Sequence, residues 1–161
     1  MFTALQPTVY VRVSPQRLTV RDPKSGTAVS EIPEIAIAQG ARAQIVAVGA
    51  AARAQQSSST TVVNPFAHPR SLMSDFTSGQ ALLKAFLRRI QPPSLFSPAP
   101  RIVLHLEGDP DGGFTQVEIR AFREMALGAG ASEVVIWQGR DLLDQELLAR
   151  QFPAAGQLLS E

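Results

Sequence analysis

A chain of 161 residues, with 45% apolar and 18% charged side chains, can bury one compact core and is too apolar to stay disordered. Its formal net charge of +1 comes from interspersed acids and bases, which gives no electrostatic footprint for nucleic acid or an anionic membrane. The lack of cysteine excludes disulfides, thiolate catalysis and cysteine-ligated zinc. No apolar run approaches the roughly 18 residues of a membrane span, and Met1-Phe2-Thr3-Ala4-Leu5 lacks the basic flank of a secretory signal. A cytoplasmic protein is expected.

The opening stretch reads as three short strands, Thr8 to Val13, Arg17 to Arg21 and about Thr27 to Ile32, with turns at Ser14-Pro15-Gln16 and Asp22-Pro23-Lys24-Ser25-Gly26. Alternation in the second strand puts Leu18 and Val20 on one face and Arg17, Thr19 and Arg21 on the other, as in an antiparallel meander with one buried face. Ile35-Ala36-Ile37 and Gln44 to Val48 are two more strand candidates around a turn at Gly40. Ala50 to Gln56 suits a helical turn or two, and Gln55 to Thr60 is a polar loop too short for an interdomain linker. From Pro33 to Ser74 the pattern is the least regular of the chain.

From Asp75 the spacing becomes helical, with Leu82, Leu83, Phe86, Leu87 and Ile90 on one side and Lys84, Arg88 and Arg89 on the other. The helix stops at Gln91-Pro92-Pro93, and a proline-rich run to Pro100 leads into a strand from Arg101 to Leu106. Thr115-Gln116-Val117-Glu118 is a capping box, in which hydroxyl and carboxylate satisfy two otherwise unpaired backbone donors. The helix it opens runs to Gly128, with Val117, Ala121, Phe122 and Met125 as its expected buried stripe and Gly128-Ala129-Gly130 as its stop. A strand from Glu133 to Trp137 follows, then a last helix near Asp141 to Gln151 with Leu142, Leu143, Leu147 and Leu148 on one side.

Three antiparallel strands followed by alternating helix and strand units define an α/β chain whose order matches one half of an actin-like or ribonuclease H-like domain. Other α+β folds share that order. The expected organisation is one domain over 1–161, its core at about 1–32 and 75–161, with a small inserted subdomain at about 33–74.

The residues also resemble MreB, the bacterial actin-like rod shape-determining family. Pro33-Glu34-Ile35-Ala36-Ile37 followed by Ala47-Val48-Gly49-Ala50-Ala51-Ala52 is similar to the family's Pro, short apolar strand, Val-Gly and Ala-rich segment. Asn64-Pro65 through Leu72-Met73-Ser74-Asp75-Phe76 resembles its Arg-Pro and Ile-Ala-Asp-Phe blocks. The strongest match is Thr115-Gln116-Val117-Glu118-Ile119-Arg120-Ala121 with Gly128-Ala129-Gly130-Ala131-Ser132-Glu133-Val134, against Thr-x-Val-Glu-Arg-Arg-Ala and Gly-Ala-x-Glu-Val.

The resemblance implies an ATPase site whose parts are missing here. The family's phosphate hairpin has the form Asp-x-Gly-Thr-x-x-Thr, where glycine lets backbone donors approach the anion and the aspartate organises the magnesium shell. Here the matching hairpin, Val11 to Leu18, has Ser14, Pro15, Gln16 and Arg17 at its turn, with no carboxylate, no glycine and no amide donor at Pro15. The family's Glu-Glu-Pro segment, whose glutamate positions the attacking water, aligns with Gln138-Gly139-Arg140 and places Gly139 at the catalytic position. The second phosphate loop and the adenosine wall have no counterpart in the 161 residues. No cofactor is expected.

Other constellations read as structural. Asp109-Pro110-Asp111-Gly112-Gly113 lacks the further ligands of a calcium loop, and His68 and His105 have no ligand-spaced neighbours, so no metal is expected. No Gly-x-Ser-x-Gly elbow occurs, and Val9 to Val13 carries none of the carboxylates that two-metal nuclease chemistry needs. The reading that results is a non-catalytic cytoskeletal protein of cell-shape determination. Its expected partner is an actin-like filament subunit or the wall-elongation machinery, or a second copy, met at a surface near Trp137 and Arg140. The alternative is a weak nucleotide-binding protein or ATPase with a rebuilt hairpin at Ser14 to Arg17.

Overall fold

Val9, Val11 and Val13 alternate with Thr8, Tyr10 and Arg12, and this period-two pattern builds strand β1 (Thr8–Val13) with its valines fully buried on one face. The structure, a computed structural model, describes residues 6–68, 70–91 and 97–160. The expectations for Met1 to Leu5 and for the Pro92-Pro93 helix stop lie outside the described residues. Strands β2 (Leu18–Arg21) and β3 (Ala28–Glu31) follow in antiparallel register, Val20 lying opposite both Val11 and Val29.

The chain then forms a separate three-stranded antiparallel sheet from β4 (Ile35–Ala38), β5 (Gln44–Val48) and β6 (Thr60–Val63), in the order β5-β4-β6. Two 3-10 turns, Gly49–Ala51 and Arg53–Gln55, connect β5 to β6. Glu31 joins this region to the main body, accepting hydrogen bonds from the Ala50 amide at 2.8 Å and from Arg89 at 2.7 Å. Gly49 sits at φ +69 beneath that carboxylate, where a Cβ would stand 2.2 Å from its oxygen, so any other residue is strained here and pushes the carboxylate aside.

The chain returns as α1 (Phe76–Ile90), β7 (Arg101–Leu106), α2 (Gln116–Gly128), β8 (Glu133–Gln138), α3 (Asp144–Ala149) and β9 (Gln157–Leu159). The main sheet has the order β3-β2-β1-β7-β8-β9, with β1, β7 and β8 parallel and the outer strands antiparallel. Asp75 caps α1 by accepting from the Ser78 amide at 3.0 Å, and the Thr115–Glu118 capping box opens α2. Both helices lie on one face, where Leu82, Leu83, Phe86, Ile119, Phe122 and Met125 meet the valines of β1 and Ile102, Leu104 and Leu106 of β7. Phe66, arriving from the smaller sheet, stacks on Phe122 at 6.2 Å.

The opposite face carries a smaller cluster. Tyr10, Val103 and Trp137 point there and are covered by Leu142, Leu147 and Phe152. This cover reverses part of the expected pattern. Val117 is 79% exposed, and Ile119 replaces it in the buried stripe of α2. Leu143 and Leu148 point to solvent, and the last helix is the six-residue α3, because Leu142 enters the core as part of an extended lead-in. Strands β6 and β9 were not foreseen; β9 pairs with β8 at Trp137 and Leu158.

Arg101 is the least satisfied group of the interior. Its side chain is 5% exposed, its Nε and Nη1 lack hydrogen-bond partners, and its nearest carboxylate, Glu133, stands 3.5 Å away and half in solvent. Desolvation, reinforced by Arg150, lowers its pKa. Removing such a cation strands no buried counter-charge. Arg101→Met is therefore expected to raise stability by about 1 kcal/mol, read as a higher urea midpoint at unchanged slope.

Candidate functional site

In open α/β sheets, ligands bind where the parallel strands end at their carboxyl side. Here β1, β7 and β8 end at Val13, Leu106 and Gln138, and the β1–β2 turn, the loop after β7 and the segment after β8 gather there. Two hollows result. One, of about 420 Å³, is bordered by Pro15, Phe66, Glu107, Asp109, Asp111 and Glu118. The other, of about 430 Å³, lies among Gly108, Gln138, Gly139 and Gly156.

The β1–β2 turn is closed on itself. The Ser14 amide donates to the Arg17 carbonyl at 3.1 Å, and the Arg17 amide donates back to the Ser14 hydroxyl at 3.1 Å. Asn64 donates to the Pro15 carbonyl at 2.8 Å, tying the turn to the smaller sheet. The Arg17 guanidinium turns away along β3 to the Ser30 carbonyl at 3.0 Å. Gln16 is exposed at the tip. The Ser14 and Arg17 groups that sequence reading singled out as possible phosphate contacts are thus engaged within the hairpin.

The charges around the first hollow are mainly negative. Arg12 bonds Glu107 through its Nε at 2.8 Å and reaches Asp141 at 3.2 Å, so this guanidinium is already held by two carboxylates. Asp109, Asp111 and Glu118 border the same hollow, with His68 and Arg70 also on its rim. Among the described residues, no group of three or more His, Asp or Glu is placed to hold a metal ion. A polyphosphate entering here meets the carboxylates of Glu107, Asp109, Asp111 and Glu118.

Gly139 and Trp137 are tightly joined. A Cβ at Gly139 would stand 2.6 Å from the indole Cζ2, and one at Gly156 would stand 2.3 Å from its Cη2. The indole N–H donates to the Arg140 carbonyl at 2.9 Å, and the ring lies against Phe152 at 5.5 Å. Trp137 is 1% exposed, so it cannot line a free surface: the chain's own 139–156 segment covers it. Arg140 is exposed, its guanidinium paired with Glu146, which in turn accepts from the Leu143 amide at 2.8 Å.

One polar unit escaped the sequence reading. Tyr10 and His105 are buried side by side on the second face, the tyrosine oxygen 2.6 Å from His105 Nδ1. The same oxygen accepts the Leu142 amide at 3.2 Å, and in the neutral tautomer that leaves Nδ1 unprotonated the hydroxyl donates to the histidine. Burial is the main cause that pushes Tyr10 up to about 12 and lowers His105 below the ordinary histidine value. The available signal was alternation: Tyr10 and His105 each fall on the face opposite their strand's core residues, and parallel pairing aligns those faces.

Three antiparallel strands, two further parallel strands and crossover helices, with the ligand-side hollows at their carboxyl ends, define one half of an actin-like fold. The described part shares it with solved structures: MreB5 of Spiroplasma citri bound to AMPPNP (TM-score 0.65, 19% identity, 81% of this chain and 38% of that one) and a non-polymerising MamK mutant bound to AMPPNP (TM-score 0.66, 12% identity, 83% and 41%). The MreB/Mbl protein family model matches residues 17–141, and the chain belongs to that family. The cell shape-determining protein MreB of Pasteurella multocida is 31% identical over 117 residues, covering 69% of this chain and 32% of that protein. Its Escherichia coli K12 counterpart is 37% identical over 65 residues, 40% of this chain and 18% of that protein. The chain spans about a third of the length of the Pasteurella relative.

Tyr10→Phe keeps the ring and removes the shared hydroxyl, leaving the buried Leu142 amide and His105 Nδ1 without that partner. The expected cost is about 1–3 kcal/mol, measurable as a lowered urea midpoint.

Proposed function

We propose that this chain is a non-catalytic actin-like protein of the bacterial cell-shape cytoskeleton that works through protein contacts, one of them with a second copy of itself. The observation that carries the non-catalytic part is the closed β1–β2 turn beside a hollow edged with carboxylates. A triphosphate site needs open backbone donors and cationic or metal compensation at that place. The membership of the MreB/Mbl family supports the cytoskeletal part.

The contact surface we infer lies along α2. Val117, Arg120, Glu124 and Leu127 fall on one outward face of the helix and are all exposed, Val117 by 79% and Leu127 by 40%. Neither Arg120 nor Glu124 has an ion pair among the described residues. The row is complementary to itself when reversed. In a two-fold antiparallel pair centred near Phe122, Val117 meets the partner's Leu127 while Arg120 meets the partner's Glu124. A two-fold axis repeats each such contact, so one row supplies two apolar and two ionic pairs. Trp137 takes no part, and Arg140 is left as a rim residue of a different face.

Two measurements test this. Thermal shift with magnesium ATP at millimolar concentration is expected to leave Tm unchanged, because a bound ligand must raise stability in proportion to its occupancy; a clear upward shift supports the nucleotide-binding alternative instead. Sedimentation of the purified chain is expected to show self-association that Arg120→Glu weakens by about tenfold, and that adding Glu124→Arg restores by reversing the ion pair. Failure of the double exchange to restore association removes the α2 pairing.

A further inference from the structure

We propose that the segment 139–152 is a latch over the second sheet face, held shut by an ordered hydrogen-bond chain through Tyr10 and His105 and released when His105 takes up a proton. The chain has one direction. The Leu142 N–H donates to the Tyr10 oxygen at 3.2 Å, the Tyr10 hydroxyl donates to the unprotonated His105 Nδ1 at 2.6 Å in the neutral tautomer, and the imidazole also interacts with the Gly139 backbone. Both anchor points, Gly139 and Leu142, belong to the covering segment, while Tyr10 and His105 belong to β1 and β7 in the sheet floor. Neutral imidazole, accepting at Nδ1, is the state that completes the chain.

A proton on Nδ1 breaks this order. Imidazolium and hydroxyl then both present hydrogen along the 2.6 Å line, and the tyrosine must turn its O–H away from the bond it makes now. The oxygen can still accept, but the displaced hydroxyl proton loses its partner in a buried place, and the imidazolium itself is a buried charge, His105 being 2% exposed. Opening the latch returns the ring to water and ends both penalties.

Charged groups around the ring set the strength of the device. From β1, Arg12 opposes the proton; from the end of β7, Glu107 favours it; and from the latch, Asp141 favours it with its carboxylate 3.9 Å from Nδ1. Glu107 and Asp141 are both bonded to Arg12. Arg21 of β2 lies over the Tyr10 ring at 5.4 Å and is paired with Asp144 of α3 at 2.8 Å. Burial is the largest influence and leaves His105 below its ordinary value when the latch is shut.

The sign follows from linkage. The closed form holds His105 with a lowered proton affinity, and the open form restores the ordinary value near 6.5. Closure is therefore fully stable above about pH 6.5 and weakens as pH falls through that value toward the lowered one. One unit below 6.5 an ordinary imidazole is about ten-to-one protonated, so the opening equilibrium rises by up to about tenfold at pH 5.5.

Hydrogen exchange on the full chain reads this directly, since local opening exposes amides without global unfolding. Protection factors of peptides across 139–152, corrected for intrinsic rates, are expected to fall by up to about tenfold from pH 7.5 to 5.5, while those of α1 and α2 hold. His105→Gln, which does not titrate, is expected to abolish the fall. His68→Gln, at the other histidine of the chain, is expected to keep it. Unchanged protection in the wild-type chain, an equal fall across α1 and α2, the same fall in a folded His105→Gln variant, or loss of the fall in His68→Gln each overturns the latch. If His105→Gln does not fold, the wild-type profile and the His68→Gln profile decide alone.

Discussion

The parallel pairing of β1 with β7 is the constraint from which the rest of the molecule follows. It places β1 in the interior of the sheet, with β2 on its other side, so Tyr10 to Val13 have cross-strand neighbours on both flanks. Val9, Val11 and Val13 fill the large core under α1 and α2, and Tyr10 goes to the smaller core on the reverse. Because the register is fixed on both faces, a slip of one residue would exchange valines for Tyr10 and Arg12 throughout. The same pairing brings the β1–β2 turn and the loop after β7 to one end of the sheet, which is why a hollow forms there.

At that end of the sheet the polar side chains bond to one another rather than facing the hollow. Ser14 closes its own turn, Arg17 lies along β3, and Arg12 bridges Glu107 and Asp141. Each of these bonds is modest alone. Together they use local groups to stabilise the hairpin and the start of the covering segment, leaving a surface whose charge is dominated by carboxylates. The fold and the family are those of an actin-like, MreB-type protein.

Sequence periodicity disclosed the elements whose partners are near in sequence. The Thr115–Glu118 cap, the apolar row from Leu82 to Ile90 and the alternation of Leu18 and Val20 all depend on spacings of two to four residues, and these are legible in the sequence. Val117 does not belong with Phe122 and Met125 because at about 100° per residue it falls on the side of α2 opposite Ile119, Phe122 and Ala126, which a stricter use of the helical period shows. Leu143 and Leu148 were misassigned because Leu142 enters the core from an extended segment, which rotates the apolar row of α3 away from the floor. Strand β9 is three residues long, and its existence depends on an edge of β8 that is set far away in the chain. The Tyr10–His105 bond joins residues 95 positions apart; only the shared face of two strands, known once their register is known, reveals it.

The packing of Trp137 between Gly139 and Gly156 limits which substitutions this end of the sheet tolerates. With the ring seated against both glycines, no residue bearing a side chain fits at 139 unless the indole or the closing strand moves as well. A side chain at 139 therefore needs the indole or the closing strand to move in the same step, and a single substitution there meets a clash. The aromatic plug thus couples positions 137, 139 and 156, so that a change in bulk at any one of them has to be matched at another.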